Sequence, residues 1–100
     1  MSVEVRVTSV LQRVVGGAKT VQGQGDTVAE LLENLEREYP GFKAQVLAEN
    51  GQLHRFVNIY KNDEDIRYLG QLGTAVYQGD VISILPALAG GAAGAWGQLV

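Results

Sequence analysis

Between Thr27 and Tyr39 the chain carries a single apolar stripe, and that stripe dictates what the rest must supply. Val28, Leu31, Leu32, Leu35 and Tyr39 recur at helical spacing, while Glu30, Glu33, Asn34 and Arg37 fall on the wet side. Thr27-Val28-Ala29-Glu30 fits a capping box, in which the hydroxyl and the carboxylate satisfy orphan backbone donors. Pro40-Gly41 stops the helix, because proline lacks an amide hydrogen and restricts the residue before it. A lone helix with one strongly apolar face needs a sheet to pack on.

Strand chemistry flanks that helix on both sides. Val3, Val5 and Val7 alternate with Glu4 and Arg6, the period of a half-buried strand. A second β-rich stretch runs around Leu11 to Val15, Gly16-Gly17 supplies a turn, and Lys19 to Gln22 forms a returning strand ended by Gly23 and Gly25. Together these predict a hairpin whose register the sequence leaves open. Phe42 to Leu53 reads as an irregular connection with a short helical turn through Val46 and Leu47, and Asn50-Gly51 marks a bend. Phe56 to Tyr60 returns to strand chemistry. The polar run Lys61 to Asp65 then turns into a short strand through Ile66 and Tyr68. Leu69 to Gln78 connects to a turn at Gly79-Asp80 and a last strand, Val81 to Leu85. Strands gathered around one amphipathic helix predict a two-layer α+β architecture.

With 100 residues the chain fits one domain. It has no cysteine, which removes disulfides, thiolate metal sites and a cysteine nucleophile together. The net charge of −3 and the lack of any basic run argue against a nucleic-acid partner. Mild acidity suits docking onto basic protein partners, although charge alone selects none. Met1 to Arg6 lacks the layout of a secretory signal, and no apolar stretch is long enough to span a bilayer, so the expectation is a cytoplasmic protein with no membrane role. Nothing assembles a nucleophile, a base and an oxyanion site, so an enzyme is not expected.

The end of the chain loses all alternation. Pro86 cannot donate to a ladder, and Pro86-Ala87-Leu88-Ala89-Gly90-Gly91 predicts a projecting, unstructured arm. From Leu85 to Gly91 such an arm reaches roughly 20 Å at ~3.3 Å per residue. The run from Gly79 to Gly91 resembles the ending of the MoaD/ThiS family of ubiquitin-like sulfur carriers. Leu53-His54-Arg55-Phe56-Val57-Asn58-Ile59-Tyr60, with Asn62-Asp63-Glu64-Asp65, is similar to the branch of that family that serves cysteine biosynthesis. The similarity covers nearly all of residues 1–91.

The resemblance implies an α+β, β-grasp (ubiquitin-like) fold, with a mixed sheet packed on one main helix and a flexible C-terminal tail. Residues 1–85 would form the body, 86–91 the Gly-Gly carrier tail, and 92–100 an extension removed on maturation. It also implies a chemistry centred on Gly90 and Gly91. An adenylating sulfurtransferase enzyme uses ATP to activate the glycine carboxylate, sulfur displaces AMP, and a thiocarboxylate results. A PLP-dependent cysteine synthase then couples that sulfur to an acceptor derived from O-phosphoserine, and a JAMM-type metalloprotease frees the cysteine. No cofactor is expected to reside on the carrier itself.

This sequence departs from the family pattern by continuing from Ala92 to Val100, so Gly91 has no free carboxylate as written. Cleavage after Gly91 is the expectation. An engineered addition, a block in a homologue that carries no sulfur, or a partner-docking segment through Trp96 and Leu99 are the alternatives. Rival functions stay open as well: a carrier for molybdopterin, thiamin or a specialised metabolite, a ubiquitin-like protein modifier, or a binding module with an inert tail.

Counting along the last strand points Ile82 and Ile84 to the helix and Val81, Ser83 and Leu85 outward. Val57 and Ile59 point inward by the same logic, and Phe56, Asn58 and Tyr60 outward. Phe56, Tyr60, Leu85, Pro86 and Leu88 are therefore candidates for a partner-docking patch beside the tail, unless the 42–53 connection or strand pairing covers them. The single histidine, His54, has no metal-ligand spacing and reads as a loop residue. Asp63-Glu64-Asp65 reads as a solvated turn in preference to a catalytic pair, and Gly23-Gln24-Gly25-Asp26 as a turn and helix cap in preference to a phosphate loop.

Overall fold

The computed structural model of the chain describes residues 2–8 and 10–86. Strand β1 (Ser2–Val7) pairs antiparallel with β2 (Thr20–Gln24), and helix α2 (Val28–Glu38) follows. A short helix, α1 (Val10–Val14), lies between the two strands, and another, α3 (Phe42–Val46), comes after α2. Strands β3 (Val57–Lys61), β4 (Glu64–Asp65) and β5 (Val81–Pro86) complete one sheet of order β2-β1-β5-β3-β4. Only the β1–β5 pair is parallel, so the sheet is mixed. This is the two-layer α+β arrangement expected for a β-grasp fold.

The core lies between α2 and one face of the sheet. Val28, Leu31, Leu32 and Leu35 are buried on the helix, and Val3, Val5, Val7, Val21, Val57, Ile59, Ile82 and Ile84 on the strands. The inward residues are those that period two selects. The capping box forms with one change of partner. Thr27 Oγ1 accepts from the Glu30 N–H at 3.2 Å, while Glu30 Oε1 accepts from the Asp26 N–H at 3.0 Å, one residue before the cap. At the other end of α2, the Glu36 carboxylate accepts from the Gly41 and Lys43 N–H groups at 3.1 and 2.8 Å. Those backbone donors lower its pKa, with burial opposing and Lys43 assisting.

Two expectations are corrected. Leu11 to Val15 is not a strand but the helix α1 and its end: Val10, Leu11, Val14 and Val15 recur at i, i+1, i+4 and i+5, which is a helical face. Leu11 and Val15 are buried, and Gly16 and Gly17, at φ 74° and 91°, end the turn. The hairpin partner of β1 is therefore β2 alone. Likewise Ile66–Tyr68 is a 3-10 turn, and the short strand is the preceding Glu64–Asp65. Asn62 and Asp63, at φ 50° and 72°, make the two-residue turn that joins β3 to β4.

Candidate functional site

β5 is the middle strand of the sheet, held by β1 on one side and β3 on the other. Its register runs through Val57↔Pro86, so Pro86 closes the strand in place of opening an arm. The remaining tail residues, Leu88, Gly90 and Gly91 among them, and the extension 92–100 lie outside the described residues. What the described part supplies is the anchoring strand and the surface around its end.

On the outer face of the sheet, Leu85 stands opposite Asn58, and Ser83 opposite Tyr60. Tyr60 and Leu85 are thus diagonal neighbours, within reach of an aromatic ring. Both are half-buried. Phe56 joins them only in part. It precedes β3, packs against the core, and lies against His54, whose ring centroid is 5.1 Å away. The Arg55 guanidinium carbon sits 5.0 Å from the Phe56 ring centroid, and His54 Nδ1 accepts from the Phe56 N–H at 3.3 Å. His54 is accordingly a loop residue with a backbone partner. Among the described residues no cluster of His, Cys, Asp or Glu could hold a metal ion.

Sequence reasoning missed Arg67. Strand β4 ends at Asp65, and the Arg67 side chain takes over the edge of β3. Its Nη2 donates to the Val57 carbonyl at 3.0 Å and its Nη1 to Asn58 Oδ1 at 2.5 Å. Asp65 Oδ1 accepts from the Arg67 N–H at 2.8 Å and so caps the 3-10 turn. No periodic signal could have found this position, since it depends on a turn that the pattern does not encode. Among the described residues, the exposed large apolar side chains are Tyr68 at 84%, Tyr77 and Leu69, none of them in the expected patch.

The polar run at 62–65 is structural, as the sequence suggests. Asn62 Oδ1 accepts from the Val81 N–H at 2.9 Å, and Asn62 Nδ2 donates to Asp80 Oδ1 at 3.0 Å, which fixes the start of β5. Gly23 and Gly25 likewise serve packing. A Cβ on Gly23 would meet Leu31 Cδ1 at 2.5 Å, and one on Gly25 the Leu31 backbone nitrogen at 2.6 Å. No helix among the described residues is long and apolar enough to cross a membrane.

Comparison with known proteins agrees with this geometry. The ThiS family model matches residues 5–91. The sulfur carrier protein CysO of Mycobacterium tuberculosis is 45% identical over 93 residues, which cover 91% of this chain and 100% of that protein. The small archaeal modifier protein 3 of Haloferax volcanii is 34% identical over 94 residues, with the same two coverages of 91% and 100%. A chain in the crystal structure of the Amycolatopsis orientalis BexX/CysO complex superposes with a TM-score of 0.81 at 44% identity, covering 89% of this chain and 99% of that one. Five strands in mixed order around one main helix are thus the ubiquitin-like β-grasp fold that CysO has. Since sequence and backbone agree over most of the molecule, from β1 onward, the chain belongs to the ThiS family.

Proposed function

We propose that the chain is a sulfur carrier for cysteine biosynthesis, loaded as a thiocarboxylate on Gly91 after residues 92–100 are removed. One observation carries the reading: the family match ends at Gly91, and CysO is aligned over its whole length at 45% identity. The nine residues after Gly91 keep it in a peptide bond. Hydrolysis of the Gly91–Ala92 bond, assigned here to a JAMM-type metalloprotease, exposes the carboxylate.

The carboxylate oxygen then attacks the α-phosphate of ATP, releasing pyrophosphate and leaving an acyl adenylate. Sulfide attacks the acyl carbon, AMP leaves with the bonding electrons, and a thiocarboxylate remains. That sulfur is a better nucleophile than the oxygen it replaces, which suits transfer to an electrophilic acceptor on a PLP-dependent synthase. Glycines at positions 90 and 91 lack side chains that would obstruct a narrow channel to the nucleotide. The body's part is to anchor β5 and to offer a docking face. Tyr60, Leu85 and Pro86 are assigned to that face, with Leu88 beyond them and Phe56 at its margin.

The test is incubation of a chain ending at Gly91 with ATP, sulfide and the cognate activating enzyme, read by intact mass. The expected product gains the mass difference of sulfur over oxygen. Consumption of no ATP and an unchanged mass would refute the proposal. Similarity to an archaeal modifier protein favours one second reading, in which Gly91 joins lysines of target proteins. Lysine-linked conjugates in cell extracts, abolished when Gly91 is deleted, would support that reading instead.

A further inference from the structure

Beyond α3 the chain walls a surface hollow of about 410 Å³, with Ala48, Leu53 and Phe56 inside it and Arg55 at its mouth. That volume lies within the range of small-ligand clefts. Leu53 and Phe56 pack against the core on one side and are only partly buried, and Ala48 is half-buried. The walls are held by backbone bonds: Leu47 bridges to Leu53, the Ala48 N–H donates to the Gln52 carbonyl and the His54 N–H to the Val46 carbonyl, both at 2.8 Å. The exposed Arg55 already lays its guanidinium over one aromatic ring, that of Phe56, at 5.0 Å. A second ring in the hollow would meet the same cation, and indole is the ring that cations favour most.

The end of β5 points at this hollow. Pro86 stands opposite Val57 and β3 runs antiparallel to β5, so the next residues along β3 from that point are Phe56, Arg55 and His54. The sequence beyond Pro86 carries one tryptophan, Trp96, in a segment 92–100 that has no charged side chain. Ten residues separate Pro86 from Trp96, a reach of roughly 33 Å at ~3.3 Å each, which exceeds the distance to the hollow several-fold. Gly91 is the midpoint, five residues from either anchor. The hollow at the start of α2 is unsuited to an indole, because Asp26, Glu30, Glu33 and Arg37 line it. It also lies at the other end of the sheet, where Gln24 is opposite Ser2.

We propose that residues 92–100 dock back onto their own domain, with the Trp96 indole seated against Ala48, Leu53 and Phe56 beneath Arg55. The Gly91–Ala92 bond is then carried at the crown of a closed loop, midway between two anchors. The tether sets an effective concentration in the millimolar range, so a contact too weak to hold a separate peptide suffices. Cutting the loop at its crown removes the tether, and the extension leaves. Only that release rests on the processing reading; docking concerns the uncut chain and stands whether or not Gly91 is ever loaded.

Because Trp96 is the single tryptophan, indole fluorescence of the uncut chain reads its environment directly. Acrylamide quenching is expected to fall about twofold or more below that of free N-acetyltryptophanamide, the result of half or more of the chains being docked. Ala48→Glu is expected to restore free-indole quenching, and Arg55→Glu, at an exposed position, covers the case in which Ala48→Glu fails to fold. Amide shifts of the uncut chain are expected to differ from those of a chain ending at Gly91 at residues 47–56 as well as in the tail. Quenching equal to free indole, or shift differences absent from 47–56, would overturn the proposal. So would protection that both variants retain. Protection that disappears on dilution would assign the hollow to a second copy and overturn self-docking. Sulfur loading of the chain ending at Gly91 is scored separately, so loss of docking and loss of the carrier reading are distinguished.

Discussion

Asp80 ties together three segments at the start of β5. Its Oδ1 accepts from Asn62 Nδ2 at 3.0 Å, its Oδ2 accepts from the Tyr77 N–H at 2.8 Å, and Lys61 Nζ lies 3.6 Å away. Burial pushes its pKa up, but the bonds from Asn62 and Tyr77 and the attraction of Lys61 outweigh this, and the net shift is downward. A carboxyl with a folded value below its unfolded one stabilises fully above the unfolded value, and the contribution is lost as pH falls through the folded value. Asp80→Ala is therefore expected to cost about 1–3 kcal/mol at neutral pH, by denaturant titration, and to flatten the acid limb of a melting-temperature profile. The glycines make a second case. Gly25→Ala should destabilise more than Gly23→Ala, because the first drives a methyl into helix backbone and the second mainly into the movable end of Leu31. Paired thermal melts would reveal a reversed order. The sequence marks both positions as punctuation, but it cannot show what lies against them, since Leu31 and Leu35 arrive only when α2 docks.

Among elements, α2 was fully legible because its stripe, cap and stop signal agree. Thr27→Ala should cost about 1 kcal/mol through the lost cap. Leu35→Ala, at a position with no exposed surface, should cost about 2–5 kcal/mol, and comparable denaturation midpoints for the two would contradict that ranking. The parity of β3 and β5 was legible for the same reason: Val57, Ile59, Ile82 and Ile84 point inward as period two requires. The short segments at 10–15 and 66–68 were not. Val10 to Val15 is rich in β-branched residues, and that composition concealed a helical spacing which only packing against the core enforces. At Ile66–Tyr68, a single buried isoleucine and a capping aspartate produce a turn where alternation suggested a strand.

For the whole molecule, two substitutions separate the docking face from the core. Leu85→Ala is expected to raise the KM of the activating enzyme for the carrier while leaving the fold intact. Phe56→Ala should act mainly on stability, because that ring packs against the core and His54. Equal effects of both on activation at unchanged stability would return Phe56 to the patch. Strand order was not legible from pattern, since alternation assigns faces and says nothing about neighbours. The β1–β5 pairing came into view only with the structure. Arg6 could be read as an outward residue from its parity, whereas the bonds of Arg67 to Val57 and Asn58 required the assembled sheet.

β5 is the central strand and also the last of the described elements. Within the sheet, the β1–β2 pair and the β3–β4 pair are joined only through residues 81–86. An unfinished or misfolded chain has no completed sheet beneath its terminus, so an enzyme that grips the body before reaching Gly91 would inspect folding and chemistry in one encounter.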